Sequence, residues 1–279
     1  MPILTLTTDI GQRDYLVGAI KGQMLSLLPA LNIVDITHHL SPANFPQAAY
    51  TCRNAFRYYP PHTYHLIIVN LYDAAVKQLL VARHEEQFII CPDNGLLTMI
   101  TGQKPWELVA IKVGKENTLL ELTQLIAQTV AGIERTGNLL TAGHPVDTIV
   151  EKYPLRATVG PDWMEGQILF IDNFENVIIN ITKEEFEEQR RGRRFRIMFK
   201  RNETIDSIGA NYTSVPEAEI LAWFNSAGYL ELAIRNGNMA GLFGLQGYNE
   251  QMQQAAGTMD NKLFYQTVRV FFEGSAVSG

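Results

Sequence analysis

Short β-branched runs alternate with amphipathic stretches through the first half of the chain, and this alternation restricts the fold more than any other feature. Strands that recur with helical segments between them need crossover connections, and so a sheet with helices packed on it. Residues 3–8 read as a strand; Asp14 then opens an amphipathic stretch over 15–28 that Pro29 ends. A second strand over 33–36 and a helix over 48–58, stopped by Pro60 and Pro61, repeat the pattern. Further strands are expected at 64–69, 87–91 and 106–112, with a helix over 119–135.

Past Gly143 the pattern changes. The stretch HPVDTIVEKYPLRATVGPDW carries several turn formers and no long periodic segment, which places an N-terminal α/β domain at 1–150, a linker at 151–162 and a second domain at 163–279. The runs at 167–172, 177–181, 194–200, 219–224, 230–234 and 263–272 are strand-like, as in a small antiparallel barrel or sandwich. The fold class expected is therefore α/β + β, a sheet domain followed by a smaller C-terminal antiparallel β-barrel-like domain. One basic run, RRGRRFRIMFKR, interleaves aromatics and invites a nucleic-acid reading. Its period-two alternation suits a hairpin that turns at Arg191-Gly192, with Arg and Lys outward and Phe, Ile and Met inward.

Composition narrows the partners. A hydrophobic fraction of 46% over 279 residues supplies a substantial core, and a net charge of −6 gives no general basic surface for phosphate recognition. Small-molecule ligands are favoured, and nucleic acid is not expected. The two cysteines, Cys52 and Cys91, lie far apart without metal or disulfide spacing, which fits buried thiols in a reducing compartment. The start MPILTLTTDIG lacks a signal-peptide pattern, and no segment holds the roughly 18 apolar residues of a membrane helix. A cytoplasmic protein without a membrane partner is expected. GxGxxG, Walker, GxSxG and HExxH motifs are absent, and the histidines show no metal-ligand spacing, so no metal is expected; His38 has a packed or surface role.

Four motifs carry candidate chemistry. In TTDIGQRDYLVG, Asp9 ends a strand and Asp14 starts the next helix, where ligands bind in α/β sheets; a carboxylate there suits a ribose diol, though Asp14 equally suits a helix cap. CPDNGLL follows a strand and presents Asn94, either as a polar contact or as part of a common turn. In FIDNFENVIINIT, Asp172, Phe174 and Asn176 alternate, and the three can grip an ammonium, an apolar chain and a carboxylate; a hairpin loop uses the same residues. NSAGYLELAIRNGNMAG flanks a strand with small residues that permit close approach to a flat ring.

Taken in order, TTDIG with Asp14 five residues after Asp9, VDITHHL, HLIIVN, CPDNGLLT, GQILFIDNFENVIINIT and NSAGYLELAIRNGN resemble the S-adenosylmethionine hydroxide adenosyltransferases, the family that also contains the fluorinating and chlorinating enzymes. The resemblance covers nearly the whole chain. It implies an N-terminal α/β/α domain, a C-terminal β domain, a homotrimer, and an adenosyl ligand bound between domains of neighbouring subunits, with S-adenosylmethionine as substrate or ligand and no separate cofactor. It assigns the ribose to Asp9, the methionine part to Asp172, Phe174 and Asn176, and the methionine and adenine ends to Ser226 and the backbone near Asn236. Glu175 stands where the family usually has glycine.

The catalytic positions depart from the family pattern. The hydroxide-transferring members carry an Asp-Pro-Gly-Val-Gly segment followed by Arg, and later a His; the matching stretch here is NLYDAAVKQLL, so Asn70 replaces the Asp and Lys77 the Arg. The His position falls at Glu121 or Leu122. A water nucleophile must lose a proton, which Asn70 cannot accept, and Lys77 is no substitute for the Arg fork. Three expectations remain open: hydrolysis with Tyr72, Asp73 or Glu121 orienting water and Lys77 attracting an anion; a changed nucleophile, although the halogenating relatives place a tyrosine where Asn70 stands; or binding of the adenosyl ligand without turnover. Lys77 as a solvated side chain and Tyr72 as a packed aromatic are the plainer alternatives.

Overall fold

A computed structural model describes residues 1–73, 76–114, 116–247 and 266–273. The chain forms two compact units, Met1–Pro154 and Leu155–Gly279. In the first, β1 (Ile3–Thr8), α1 (Leu16–Leu27), β2 (Asn32–Thr37), α2 (Phe45–Phe56) and β3 (Tyr64–Ile68) follow the expected alternation. They are succeeded by β4 (Gln78–His84), β5 (Gln87–Pro92), α3 (Leu96–Thr101), β6 (Glu107–Lys112), α4 (Leu119–Thr136) and the short β7 (His144–Pro145). The strand order is β2-β1-β3-β5-β4-β6-β7; β1, β2, β3 and β5 run parallel, and β4 runs against both neighbours.

Period-two alternation sends each strand's side chains into two cores. Leu66 and Ile68 of β3 pack with Val17, Ile20 and Met24 of α1 and Ile126 and Val130 of α4. Ile67 and the following Val69 pack with Ala48 and Cys52 of α2 and Leu97 and Ile100 of α3. A sheet covered on both faces is an α/β/α sandwich, and its central strands are buried on both faces for that reason, the polar Thr5, Thr7, Thr8 and His65 included. The helix ends are locally specified. Asn44 caps α2 through the Gln47 N–H, and Thr118 and Glu121 form a reciprocal capping box on α4, which Gly137 closes in the left-handed conformation. Both cysteines are buried, and burial pushes the Cys52 thiol up to about 12.

Strand β4 and helix α3 are among the elements of this unit that the sequence did not suggest. Strand β4 pairs with β5 through Glu85 and Glu86, both with positive φ (47° and 63°), and a Glu-Glu pair carries none of the Asn-Gly signal such a turn favours. Helix α3 is only six residues long, too short to show periodicity.

The second unit contains β8 (Thr158–Val159), β9 (Trp163–Ile171), β10 (Val177–Thr182), α5 (Lys183–Arg190), β11 (Phe195–Lys200), β12 (Glu203–Ile205), β13 (Ile220–Phe224), β14 (Tyr229–Ile234), α6 (Met239–Phe243) and β15 (Thr267–Phe272). Its antiparallel sheet has the order β12-β11-β15-β9-β10-β14-β13, with β8 beside β9, and a bridge from Gly209 to Trp223 brings its two edges close to barrel closure. Ile168, Ile179, Ile181, Leu230, Leu232, Val268 and Val270 fill the interior with Phe186, Phe195 and Phe272. The expected strand over 263–272 begins in part outside the described residues.

The basic run needs correction. Phe195, Ile197 and Phe199 face inward and Arg196 and Lys200 outward, but Met198 lies on the outer side. Arg191 and Gly192 do not close a hairpin: they end helix α5, where Arg191 is the left-handed C-cap (φ 50°) after a Thr182/Glu185 capping box. The charge-rich sequence KEEFEEQR hid the helix, because only Phe186 is buried. Between the units the chain is anchored at both ends. Lys152 N–H donates to Thr98 Oγ1 (2.9 Å), Thr98 Oγ1 donates to the Lys152 carbonyl (2.6 Å), and Asn180 Nδ2 donates to the Leu155 carbonyl (3.0 Å).

Candidate functional site

Because β1, β3 and β5 are parallel, the residues that follow them emerge on one edge of the sheet, where the antiparallel β4 also begins. Topology therefore gathers Asp9, Asn70, Asp93, Asn94 and Lys77. Asp9 N–H donates to the Ile68 carbonyl (3.2 Å), and Asp9 Oδ2 accepts the Asn70 N–H (2.7 Å). Burial raises the Asp9 carboxyl above its ordinary range, opposed by the N–H bonds from Asn70 and its own backbone. Asn70 has φ 51°, a conformation Asn tolerates, and its Nδ2 donates to Asp73 Oδ2 (3.1 Å). Asn70 thus ties Asp9 to Asp73.

The other candidates on this edge differ in how free they are. Asn94 is 2% exposed and its amide is engaged internally: Nδ2 donates to the Val69 carbonyl (3.0 Å) and Oδ1 accepts the Leu96 N–H (3.2 Å), so it joins the end of β3 to the start of α3. Asp14 is exposed, and its Oδ1 accepts the Leu16 N–H (3.0 Å), as a turn before α1. Lys77 is exposed, with its carbonyl accepting the Val113 N–H (3.1 Å). At the position of the family histidine, Leu122 is buried in the core, while Glu121 accepts the Thr118 N–H (2.8 Å); that bond holds its carboxyl below the ordinary range. Tyr72 is 66% exposed. His38 is buried, its Nδ1 2.9 Å from Thr8 Oγ1 and its Nε2 3.2 Å from Asp35.

Lys152 is a neighbour the sequence did not suggest. Its Nζ lies 4.1 Å from the centre of the Phe45 ring; burial lowers its ammonium from the ordinary range, and the Asp73 charge opposes that. Its stem crosses Gly95 so closely that a Cβ built there would lie 2.5 Å from Lys152 Cγ. Gly95 has φ 96°, so both conformation and space call for glycine.

In the second unit, the β9–β10 loop is closed by one carboxylate. Asp172 Oδ1 accepts the N–H groups of Phe174 (2.8 Å) and Asn176 (2.9 Å), and Asp172 N–H donates to the Asn176 carbonyl (3.0 Å). Phe174 is left 72% exposed, and Glu175, at the family's glycine position, takes φ 62°. Asn176 is 4% exposed and donates Nδ2 to Glu231 Oε1 (3.0 Å), which also accepts Trp223 Nε1 (3.1 Å); Glu231 Oε2 accepts Asn225 Nδ2 (3.1 Å). Burial raises the Glu231 carboxyl, with the Asn225, Trp223 and Asn176 bonds opposing and the Asp172 charge adding to it.

Structure thus brings Asp172 and Asn176 together with Glu231, Trp223 and Asn225, none of which had been singled out as a site residue. Glu231 carried a signal: a single carboxylate inside the apolar strand YLELAI, 5% exposed, has to be paired. Ser226 is exposed in the turn beside Asn225. Asn236 sits elsewhere, with φ 56°, its N–H on Tyr212 Oη (2.9 Å) and its Nδ2 on Glu217 (3.1 Å). Among the described residues, no group of three or more His, Cys, Asp or Glu could hold a metal, and no helix is long and apolar enough to cross a membrane.

Comparison with known proteins places these features in a family. Residues 4–143 match the SAM hydroxide adenosyltransferase N-terminal domain, and residues 166–251 match the C-terminal domain. An (R)-S-adenosyl-L-methionine hydrolase of Methanocaldococcus jannaschii is 28% identical over 189 residues, covering 66% of this chain and 69% of its own. Another from Salinispora tropica is 23% identical, covering 88% and 94%. In fold, the chain is similar to a conserved protein of Thermotoga maritima (TM-score 0.77, 20% identity, covering 97% of this chain and 100% of the other). With both of its domains matched, the chain belongs to the SAM hydroxide adenosyltransferase family.

Proposed function

We propose that the chain binds S-adenosylmethionine and transfers hydroxide to its 5' carbon, giving adenosine and methionine. The observation that carries this reading is Asp9: a partly buried carboxylate at the carboxyl edge of a parallel sheet, oriented by the Asn70 N–H at 2.7 Å and raised toward the neutral form by burial, as suits a group that exchanges water for sugar hydroxyls. In this reading Asp9 takes the ribose, and Asp172, Phe174 and Asn176 take the methionine part.

The chemistry requires an in-line attack of water oxygen on the 5' carbon as the carbon–sulfur bond breaks and its electron pair returns to sulfur. The thioether leaves neutral, so no acid, metal or further cofactor is needed on that side. The water proton needs an acceptor. Asn70 cannot serve, but its Nδ2 holds Asp73, whose carboxylate is near the Lys152 ammonium; Asp73 takes the role of acceptor and orienter in this reading. The protein acts as a cytoplasmic homotrimer.

Incubation of concentrated protein with S-adenosylmethionine, followed by chromatography, is expected to give adenosine and methionine in equal amounts, and Asp73→Asn is expected to lower the rate on the order of a hundredfold. A second reading, binding without turnover, is favoured by Asn70 standing in place of the family's carboxylate. Heat on calorimetric titration with no adenosine above background would establish it. No heat with S-adenosylmethionine or adenosine would overturn both. Size-exclusion chromatography with light scattering tests the trimer.

A further inference from the structure

The opposite edge of the N-terminal sheet, where β1, β3 and β5 begin, holds a cavity of about 440 Å³ that the proposed reaction does not use. Its walls include Ile3, Pro61, Tyr64, Arg83, Phe88 and Glu134. Strand β1 runs its full length between Ile3 and Asp9, about 20 Å, so the two places lie on opposite edges of the sheet. Pro61 and Glu134 are exposed, and the cavity opens to solvent between them.

The floor of the cavity is a ladder set by strand register. Tyr64 pairs with Phe88, and Phe88 with Arg83, which puts the three side chains on one face of β3, β5 and β4. The Tyr64 and Phe88 rings stack on each other with centres 4.8 Å apart, so their faces are occupied and their edges are left toward the cavity. Helix α4 covers this face, and Tyr64 Oη donates to Glu134 Oε1 (2.7 Å) in its last turn. Burial, with the Glu134 bond and charge adding to it, raises the Tyr64 phenol, so Tyr64 stays the donor.

Two charges face the cavity without full partners. Glu134 Oε2 has none among the described residues, and its carboxylate stands at the carboxyl end of a helix, where the dipole disfavours an anion and favours a cation. The Arg83 guanidinium makes no hydrogen bond among the described residues, and its ion pair with Glu107 is loose at 3.5 Å. A purely anionic ligand is repelled by Glu134, and a purely cationic one by Arg83. A planar base finds no free ring face to stack on. A zwitterion answers both charges. We propose that this cavity binds a free α-amino acid with an apolar side chain, its ammonium on Glu134, its carboxylate on Arg83 and its side chain against the aromatic floor. Tyr64 and Arg83 stand two strands apart, about 10 Å, a span that the long Arg83 stem and one amino acid close between them. A thioether side chain suits this floor, because sulfur packs favourably at ring edges.

Calorimetric titration with L-methionine tests the proposal. Wild type is expected to bind it, and Arg83→Gln and Glu134→Gln each to bind it on the order of tenfold more weakly. Glutamine at 134 keeps a carbonyl for Tyr64 Oη, so the helix stays anchored and only the charge is removed. The acid with the same chain and no amine, 3-(methylthio)propionate, is expected to lose at least about tenfold against wild type. Asp172→Ala, in the other unit, separates this cavity from the loop proposed to take the methionine part: the affinity that Arg83→Gln weakens is expected to stay within about twofold. No binding by wild type, undiminished binding in both cavity variants, or equal binding of the acid that lacks the amine overturns the proposal. Binding that is lost in Asp172→Ala and kept in Arg83→Gln overturns it too. None of these readouts involves adenosine formation, so the proposed hydrolysis stands or falls separately.

Discussion

Asp9, at the carboxyl edge of the N-terminal sheet, is aimed by the backbone, whereas Asn176 in the C-terminal unit is aimed by another side chain. Asp9 is fixed by the Asn70 N–H, and Asp93 Oδ1 accepts the Val150 N–H at 2.8 Å. Asn176, by contrast, is fixed by Glu231, and Glu231 by Trp223 and Asn225. Backbone-aimed groups tolerate replacement of their neighbours' side chains, since every residue but proline supplies an N–H. A side-chain network has no such spare donor, and one substitution unsettles every member. This difference explains how Asn70 can replace the family's aspartate without displacing Asp9.

The comparison is broken most directly at Glu231. Glu231→Leu leaves three donors without their acceptor, the one on Asn176 fully buried, and is expected to lower the unfolding free energy by about 3 kcal/mol in urea titration. Asn70→Ala keeps the N–H that Asp9 uses, and its cost is expected to stay near 1 kcal/mol, mostly from the positive φ. Equal losses would erase the distinction between backbone-aimed and side-chain-aimed groups.

His65 in the first unit and Glu231 in the second should respond to acid with opposite signs. In the first, His65 is buried against Phe56 at 3.6 Å between ring centres, with Nδ1 on Thr5 Oγ1 (2.7 Å) and Nε2 on Gln87 Oε1 (3.1 Å), and burial lowers it from 6.5 to about 4. Gln87 spends its Nε2 on the Phe56 and Tyr59 carbonyls, which assigns the His65 proton to Nε2. Neutral His65 therefore contributes stability above its unfolded value of roughly 6.5, lost as pH falls toward 4, on the order of 3 kcal/mol. Glu231 is held above its ordinary 4.5, so its contribution is full below that value and is lost as pH rises through the raised one. Stability measured from pH 7 to pH 4 is expected to fall less in His65→Gln and to recover less in Glu231→Gln than in wild type.

A smaller effect is expected at Gly95, where alanine meets both a φ of 96° and the Lys152 stem at 2.5 Å. Gly95→Ala should cost about 2 kcal/mol and, by displacing Lys152 from the neighbourhood of Asp73, slow turnover more than it weakens binding. The smallest effect on stability is at Phe174, 72% exposed on the Asp172 loop. Phe174→Ala should change unfolding by less than about 0.5 kcal/mol. In the same variant, calorimetry is expected to show weaker binding of S-adenosylmethionine.

Much of this was readable from residues alone. The alternation of strands and helices gave the layered first unit, because burial on both sheet faces demands apolar strands and amphipathic helices. The end of the first strand put Asp9 where ligands bind in α/β sheets, and the parallel pairing of β1 with β3 then brings Asn70 to the same edge. Strand β4 was not readable, for its Glu85-Glu86 turn is held by pairing with β5 and β6 rather than by turn residues. Nor was the C-terminal network, because Glu231 reaches Asn176 across 55 positions, and hydrogen bonds of that range follow from strand register.

What the sequence determined by itself was local: which segments form strands and helices, where they are capped, and which carboxylates stand at strand ends. Tertiary structure decided how those groups are occupied. Asn94 and Asn176 are the same residue type in similar turn-bearing motifs, yet packing satisfies both ends of one amide and leaves the oxygen of the other free. The reason is physical: an amide's partners are set by what is buried around it, and burial is a property of the assembled chain.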